Sequence, residues 1–248
     1  MPPRPADGPW VEEWLSVSRF STYLTAAGGR REVALDLYEW NCRTGGALLR
    51  DLSHLEVALR NTYDAVVQTR WTGSSHWLLA PDSPLRVAIF RSRRAGRGGK
   101  MRVDINGRSR ELLDAAVSKA RPGAPVGKVI AELPFGFWRY CTSAGHEKTL
   151  WVPYLHHAFP AGTSRRDVDE RLGCLNALRN RIAHHEPLLR EDLDERHREI
   201  LDLCGMLNPT LARYLASTST VPAILAARPA NLATPAEPTR SEPAEELV

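Results

Sequence analysis

"TSRRDVDERLGCLNALRNRIAHHEPLL", residues 163–189, decides the fold. Thr163 or Ser164 can cap a helix start, Asp167, Asp169 and Glu170 fall in the early turns, and the basic residues gather toward the other end. That polarity follows the field of a helix. Leu175, Leu178 and Ile182 recur at intervals of three and four, giving the stretch one apolar stripe. Pro187 disfavours helical geometry at Glu186, so His184 and His185 are expected in the last turn.

The same period recurs outward from this segment. Upstream, "VEEWLSVSRFSTYLTAAGG" places Trp14, Phe20, Tyr23 and Leu24 on one helical face or two short helices, closed by Gly28 and Gly29. Val33, Leu37 and Trp40, then Leu48, Leu52, Leu55, Leu59 and Val66, keep helical spacing across Gly45 and Gly46. A helix over about 47–69 preceded by a shorter one is predicted, because paired glycines weaken a helix. "GKVIAELPFGFWRYCTS" reads as a helix interrupted at Pro134 and resumed around Phe137, with Gly136 permitting close approach. "EKTLWVPYLHHAFP" reads as a short aromatic segment punctuated by proline. Further helical pattern covers about 191–216, broken near "GMLNPT". Residues 231–248, rich in Pro, Ala and Glu, read as a disordered tail. With no convincing alternating strand and no internal repeat, the chain is predicted to be all-α.

The middle segment has a different character. Between residues 86 and 110 the basic side chains are Arg86, Arg91, Arg93, Arg94, Arg97, Lys100, Arg102, Arg108 and Arg110, against the single acid Asp104. Gly96, Gly98 and Gly99 make a rigid helix there improbable, so a basic loop at 91–102 is expected, with Asn106 or Ser109 starting the next helix. An arginine-rich loop suits RNA capture through Arg91, Arg93, Arg94 and Arg97, with the alternative of a solvated insertion that only aids solubility.

Composition narrows the function classes. A chain of 248 residues with 43% hydrophobic and 25% charged residues is ordinary for a water-soluble globular protein of one large or two small domains. The formal charge of +4 permits an acidic partner without requiring one. "MPPRPADGPW" lacks the apolar run of a signal peptide, and no stretch approaches the roughly 18–20 apolar residues that cross a bilayer. A cytoplasmic protein without a membrane partner is therefore expected. Cys42, Cys141, Cys174 and Cys204 form no CxxC pair, so they read as core thiols. His156 and His157 lack companion carboxylates, and neither a metal site nor another cofactor is expected.

Arg179, Asn180 and His184 carry the candidate chemistry. Asn180 and His184 are four residues apart on one helical face; Arg179 and His184 differ by about 140° and roughly 7.5 Å along the axis. Metal-free RNA cleavage needs a base for the ribose 2'-hydroxyl, a proton donor for the leaving oxygen, and positive charge at the phosphate. Histidine exchanges protons near neutrality and arginine forks onto phosphate. On spacing alone, a solvated basic helix end explains the same residues, since Arg and His suit any last turn.

"LRNRIAHHEPLL" resembles the Arg-Asn-x-x-x-His segment of the Abi-like (abortive infection) proteins, a branch of the HEPN superfamily. "LSVSRFSTYL", "ALDLYEWN", "LEVALRNTYD" and "IAELPFGFWRY" look like further landmarks in the same order, so the resemblance covers about residues 10–230. It implies a HEPN-like helical bundle with additional helices, paired as a homodimer around a shared ribonuclease site. Arg179, Asn180 and His184 would be catalytic, His185 a supporting second histidine, and Arg181 a contact to RNA.

The implied activity is a metal-independent endoribonuclease acting as a toxin or antiviral defence component, with an antitoxin or phage-derived trigger as a further partner. A noncatalytic RNA-binding or protein-interaction module, or an antitoxin-like regulator, stays open beside it. Glu56 and Arg60 can pair on one helical face beside Asn61; the resemblance adds the reading that Glu56 orients the basic residues of the motif helix. Trp40, Phe135, Phe137, Trp138 and Trp151 could stack bases but read first as core.

Overall fold

The computed structural model describes residues 7–73, 75–94 and 100–229, with Arg93, Arg94 and Lys100 described by their backbone alone. Arg97, the middle of the basic segment and the 231–248 tail lie outside the described residues. The order is α1 (Trp10–Leu15), α2 (Val17–Ala26), α3 (Arg31–Arg70), β1 (Phe90–Arg94), β2 (Lys100–Asp104), α4 (Gly107–Ala120), α5 (Val126–Glu132), α6 (Phe135–Tyr140), α7 (Arg165–Ala183), α8 (Leu193–Leu207), α9 (Pro209–Thr218) and α10 (Val221–Ala226). Short 3-10 and π turns fill 144–158, between α6 and α7. The fold is predominantly α-helical, as the periodicity predicts. No helix among the described residues is long and apolar enough to cross a membrane.

The chain divides into two compact units, one of residues up to Gly45 with those from Pro222 onward, the other Gly46–Val221. In the first, Trp40 is buried and its Nε1 donates to the Ile224 carbonyl at 2.8 Å. Arg31 bridges Asp7 and Glu12, and its guanidinium also lies 4.9 Å from the Phe20 ring centre.

The second unit holds the candidate site. Its core takes Leu48, Leu52, Leu55, Leu59, Tyr63 and Val67 from α3 and Val168, Leu172, Leu175 and Leu178 from α7. Trp77 and Trp138 fill it further. Each fully buried leucine contributes about 1.5–3 kcal/mol relative to an exposed one. Leu175 and Leu178 are thus spent on the chain's own interior. Phe135, Phe137, Trp138 and Trp151 are buried too, matching their reading as core.

Several elements differ from expectation. The helix does not break at Gly45–Gly46; α3 is continuous from Arg31 to Arg70. A glycine costs a helix about 1 kcal/mol, and the buried positions Trp40, Thr44, Ala47 and Leu48 keep the helical period through the pair. The expected basic loop is in its described part an antiparallel hairpin, with Arg91 opposite Val103 and Arg94 opposite Lys100. Its base is tied by Asp104, whose Oδ1 accepts from the Ile89 and Asn106 amides at 2.9 and 3.0 Å and whose other oxygen pairs with Arg110. Arg102 lies over the Phe90 ring at 4.9 Å. Of the four cysteines, Cys141 and Cys204 are buried, but Cys42 and Cys174 are exposed, against their reading as core thiols.

Candidate functional site

Helix α7 starts as its sequence predicts, with Ser164 Oγ accepting from the Asp167 amide at 3.4 Å. Its end differs. The last helical residue is Ala183, His184 is the C-cap, and His185 takes a left-handed backbone with φ 55°. The His185 amide donates to the Ile182 carbonyl at 3.0 Å and the Glu186 amide to the Arg181 carbonyl at 2.9 Å. This is a Schellman ending, normally built on glycine. A histidine in its place costs about 1 kcal/mol, so the two histidines stand just beyond the last turn.

Each side of α7 has a separate task. Arg139 of α6 pairs with Asp169 at 3.0 Å and runs beside Gly173. Gly136 of α6 approaches Asn176 so closely that a Cβ there would sit 3.3 Å from Asn176 Oδ1. Asn180 and His184 follow at four-residue steps from Asn176, so they extend this face of the helix toward its C-terminus. Both are exposed, and neither side chain makes a hydrogen bond among the described residues.

Arg179 points elsewhere. It is half-buried and makes no direct ion pair among the described residues. Its charge acts on Glu56 of α3, whose carboxyl is pushed above its ordinary range by burial and drawn back first by Arg179 and then by Arg60. Glu56, Arg60 and Arg179 therefore form one group across α3 and α7. Arg60 keeps a buried Nε without a partner among the described residues. The arrangement can hold Arg179 in place while leaving its guanidinium uncommitted to a direct partner.

The remaining predicted residues are scattered. Arg181 lies between Glu186 and Glu191, at 3.5 and 3.4 Å, so its charge is already matched. Asn61 is exposed on α3. Arg91 is exposed on β1, with its guanidinium 3.5 Å from the Gly145 carbonyl. Arg93 and Arg94 belong to the same strand by their backbone. His156 and His157 are exposed, their rings 3.8 Å apart, and no cluster of three or more metal-binding side chains occurs among the described residues.

Two features escaped the sequence reading. Asn176 precedes Asn180 by one turn, a spacing visible in "LNALRN". Asp51, His197 and Ser219 form a buried polar group with no local signal. Ser219 Oγ donates to Asp51 Oδ2 at 2.5 Å and lies 3.1 Å from His197 Nε2, while the same imidazole nitrogen is 3.4 Å from Asp51. Serine and aspartate share one nitrogen, so the imidazole does not stand between them as it must in a hydrolase triad.

No family model matches the chain, and neither a curated protein nor a solved structure matches it.

Proposed function

We propose that the chain is a metal-independent endoribonuclease of the Abi-like, HEPN type, cutting RNA at the C-terminal end of α7. The observation that carries this reading is the state of Arg179. It is half-buried, set against Glu56, without a direct ion pair, and it shares a helix end with the uncommitted side chains of Asn180 and His184. A merely solvated helix end would have no use for a half-buried acid within electrostatic reach of its arginine.

In this reading Arg179 takes the phosphate and Asn180 orients it. The ribose 2'-oxygen attacks phosphorus, its proton leaves to a base, the bond to the 5'-oxygen breaks, and that oxygen receives a proton. His184 stands exposed at the end of the helix one turn beyond Asn180, so it is placed to donate a proton to the leaving oxygen. His185 supports the turn that presents it. The basic segment, through Arg91, Arg93, Arg94 and Arg97, draws RNA in, and a second copy of the chain completes the cleft. The cellular role that fits is a cytoplasmic toxin or phage-defence component, with an antitoxin or phage-derived trigger controlling it.

The test is incubation of the chain with total RNA in EDTA, followed by mapping of new ends. Wild type should leave 2',3'-cyclic phosphates or the derived 3'-phosphates, and His184→Ala should leave none while keeping its helical circular dichroism. Full cleavage by His184→Ala would remove the assignment. RNA binding without turnover in both chains would favour a noncatalytic RNA-binding module, a reading supported by the exposed basic hairpin alone.

A further inference from the structure

A cavity of about 350 Å³ lies within the second unit, lined by Ile105, Arg108, Ser109, Leu112, Pro134, Gly136, Phe137 and Tyr140. Its walls are mostly apolar and aromatic, with the hydroxyl of Ser109 among them. Ser109 is 3% exposed, and its hydroxyl has no hydrogen-bond partner among the described residues. A hydroxyl that lines a cavity with no protein partner can donate to or accept from a ligand atom placed there.

The mouth of the cavity adds positive potential. It is formed by the first turn of α4, a fourteen-residue helix whose N-cap residue provides no side-chain cap. Asn106 directs both amide protons away, to the carbonyls of Pro84 and Val87 at 2.7 Å each. Asn106 gives the first turn no side-chain cap, and the amides of Arg108 and Ser109 have no well-formed backbone hydrogen bond among the described residues, so the positive end of the helix can receive phosphate. Arg108 is exposed and, among the described residues, engaged only by Glu111 at 2.9 Å, three residues along the same surface. Such an exposed pair is weak and yields readily to a phosphate. Asp104, the nearby acid, is neutralised by Arg110.

An aromatic and apolar chamber with one hydroxyl inside and an anion-binding rim matches a nucleobase attached to a phosphate. The volume is at the small end for ligand cavities, which admits one nucleoside and not two. The Gly136 wall touches Asn176, one turn before Asn180 on the same face of α7. We propose that this cavity receives one unstacked base of the RNA, with Ser109 reading its edge and Arg108 with the α4 amides holding the adjoining phosphate. The RNA assignment rests on the ribonuclease reading above; the nucleotide chemistry of the cavity does not.

The experiment separates them. Wild-type chain is titrated calorimetrically with the four ribonucleoside 5'-monophosphates, the matching nucleosides and inorganic phosphate. His184→Ala chain is titrated with short single-stranded oligonucleotides. At least one monophosphate should bind, Ser109→Ala should weaken it about tenfold, and Arg108→Ala should weaken the monophosphate but not the nucleoside. The same oligonucleotide base preference should vanish with Ser109→Ala. No monophosphate binding, or binding unchanged in Ser109→Ala, overturns the proposal whether or not the chain cuts RNA. Ser109-dependent monophosphate binding with Ser109-independent oligonucleotide binding makes the cavity a site for a free nucleotide and overturns its role in RNA recognition.

Discussion

The carboxyl of Glu56 on α3 lies within electrostatic reach of the guanidinium of Arg179 on α7, and burial still holds it above the ordinary carboxylate range. A raised folded value means that the native state prefers the protonated acid. Its stabilising contribution is complete below the unfolded pKa and is lost as pH rises through the folded one. Glu56→Gln has nothing to lose on that rise. Its Tm should match wild type in acid and exceed it by about 1–2 °C at neutral pH, while cleavage falls about tenfold because Arg179 loses its orienting charge. Paired thermal melts and cleavage rates at acidic and neutral pH check this; a lower Tm at neutral pH would show that the carboxylate is a net structural support.

His146 sets a different pH limit. It is fully buried, its Nδ1 lies 3.0 Å from Thr149 Oγ1, and Nε2 has no partner among the described residues. Burial, reinforced by Arg91, pulls its pKa down to about 4. The unfolded chain takes up the proton near 6.5, so this contribution is complete above that pH and is lost as pH falls toward 4. The loss should reach about 3 kcal/mol, and His146→Gln should flatten the curve across the window. Denaturant titrations at pH 7 and 4.5 measure it. Equal slopes in the two chains would remove His146 from the acid response.

Asp51 is buried with Ser219, Arg50 and His197 around it. Burial pushes its carboxyl up, but hydrogen bonds from His197, Ser219 and Arg50 prevail and leave it below the ordinary range. Removing the acid would take the charged partner from the buried His197 and from Ser219, so Asp51→Ala should destabilise by about 3–5 kcal/mol. Ser219→Ala should cost only about 1–2 kcal/mol, the range for one buried hydrogen bond. Chemical denaturation of the two variants gives the comparison. A serine substitution as damaging as the aspartate one would assign Ser219 a further role.

Helix α7 was legible because its cap, its early acids and its late bases all act within a turn or two of themselves. The hairpin was not. Its strands read "FRSRR" and "KMRVD", and a two-stranded ribbon needs no apolar alternation to close. The unbroken α3 was also hidden, since local glycine propensity points one way and burial on both flanks decides the other. In the candidate site, Arg179, Asn180 and His184 announce themselves by residue type. That Glu56 acts on the motif helix was expected through the family resemblance alone, because no local pattern shows it; the open hydroxyl of Ser109 likewise depends on packing between distant segments. Asn106 was expected as a possible cap; its position is right, but long-range bonds to Pro84 and Val87 take its side chain away from the helix.

The last prediction concerns a second copy of the chain. Arg179 and His184 are about 140° apart around α7, and the C-cap backbone of His184, φ −91° and ψ 7°, stays close enough to helical to keep that offset. Arg179 turns toward Glu56 while His184 turns outward. One α7 thus presents the two side chains in different directions, whereas a two-fold pair can set the arginine of one copy beside the histidine of the other. Leu175 and Leu178 are buried in the chain's own core, so a contact between copies must use the exposed Asn180, Ala183 and His184 with the half-buried Ile182. Sedimentation at micromolar concentration should give about twice the 27.7 kDa chain mass. Arg179→Ala and His184→Ala should each be inactive alone. When the two are unfolded and refolded together in equal amounts, half the dimers are mixed and each mixed dimer has one intact composite site, so about a quarter of wild-type activity should return. A monomer that cuts RNA, or a refolded mixture as inactive as its parts, would place the whole site within one chain.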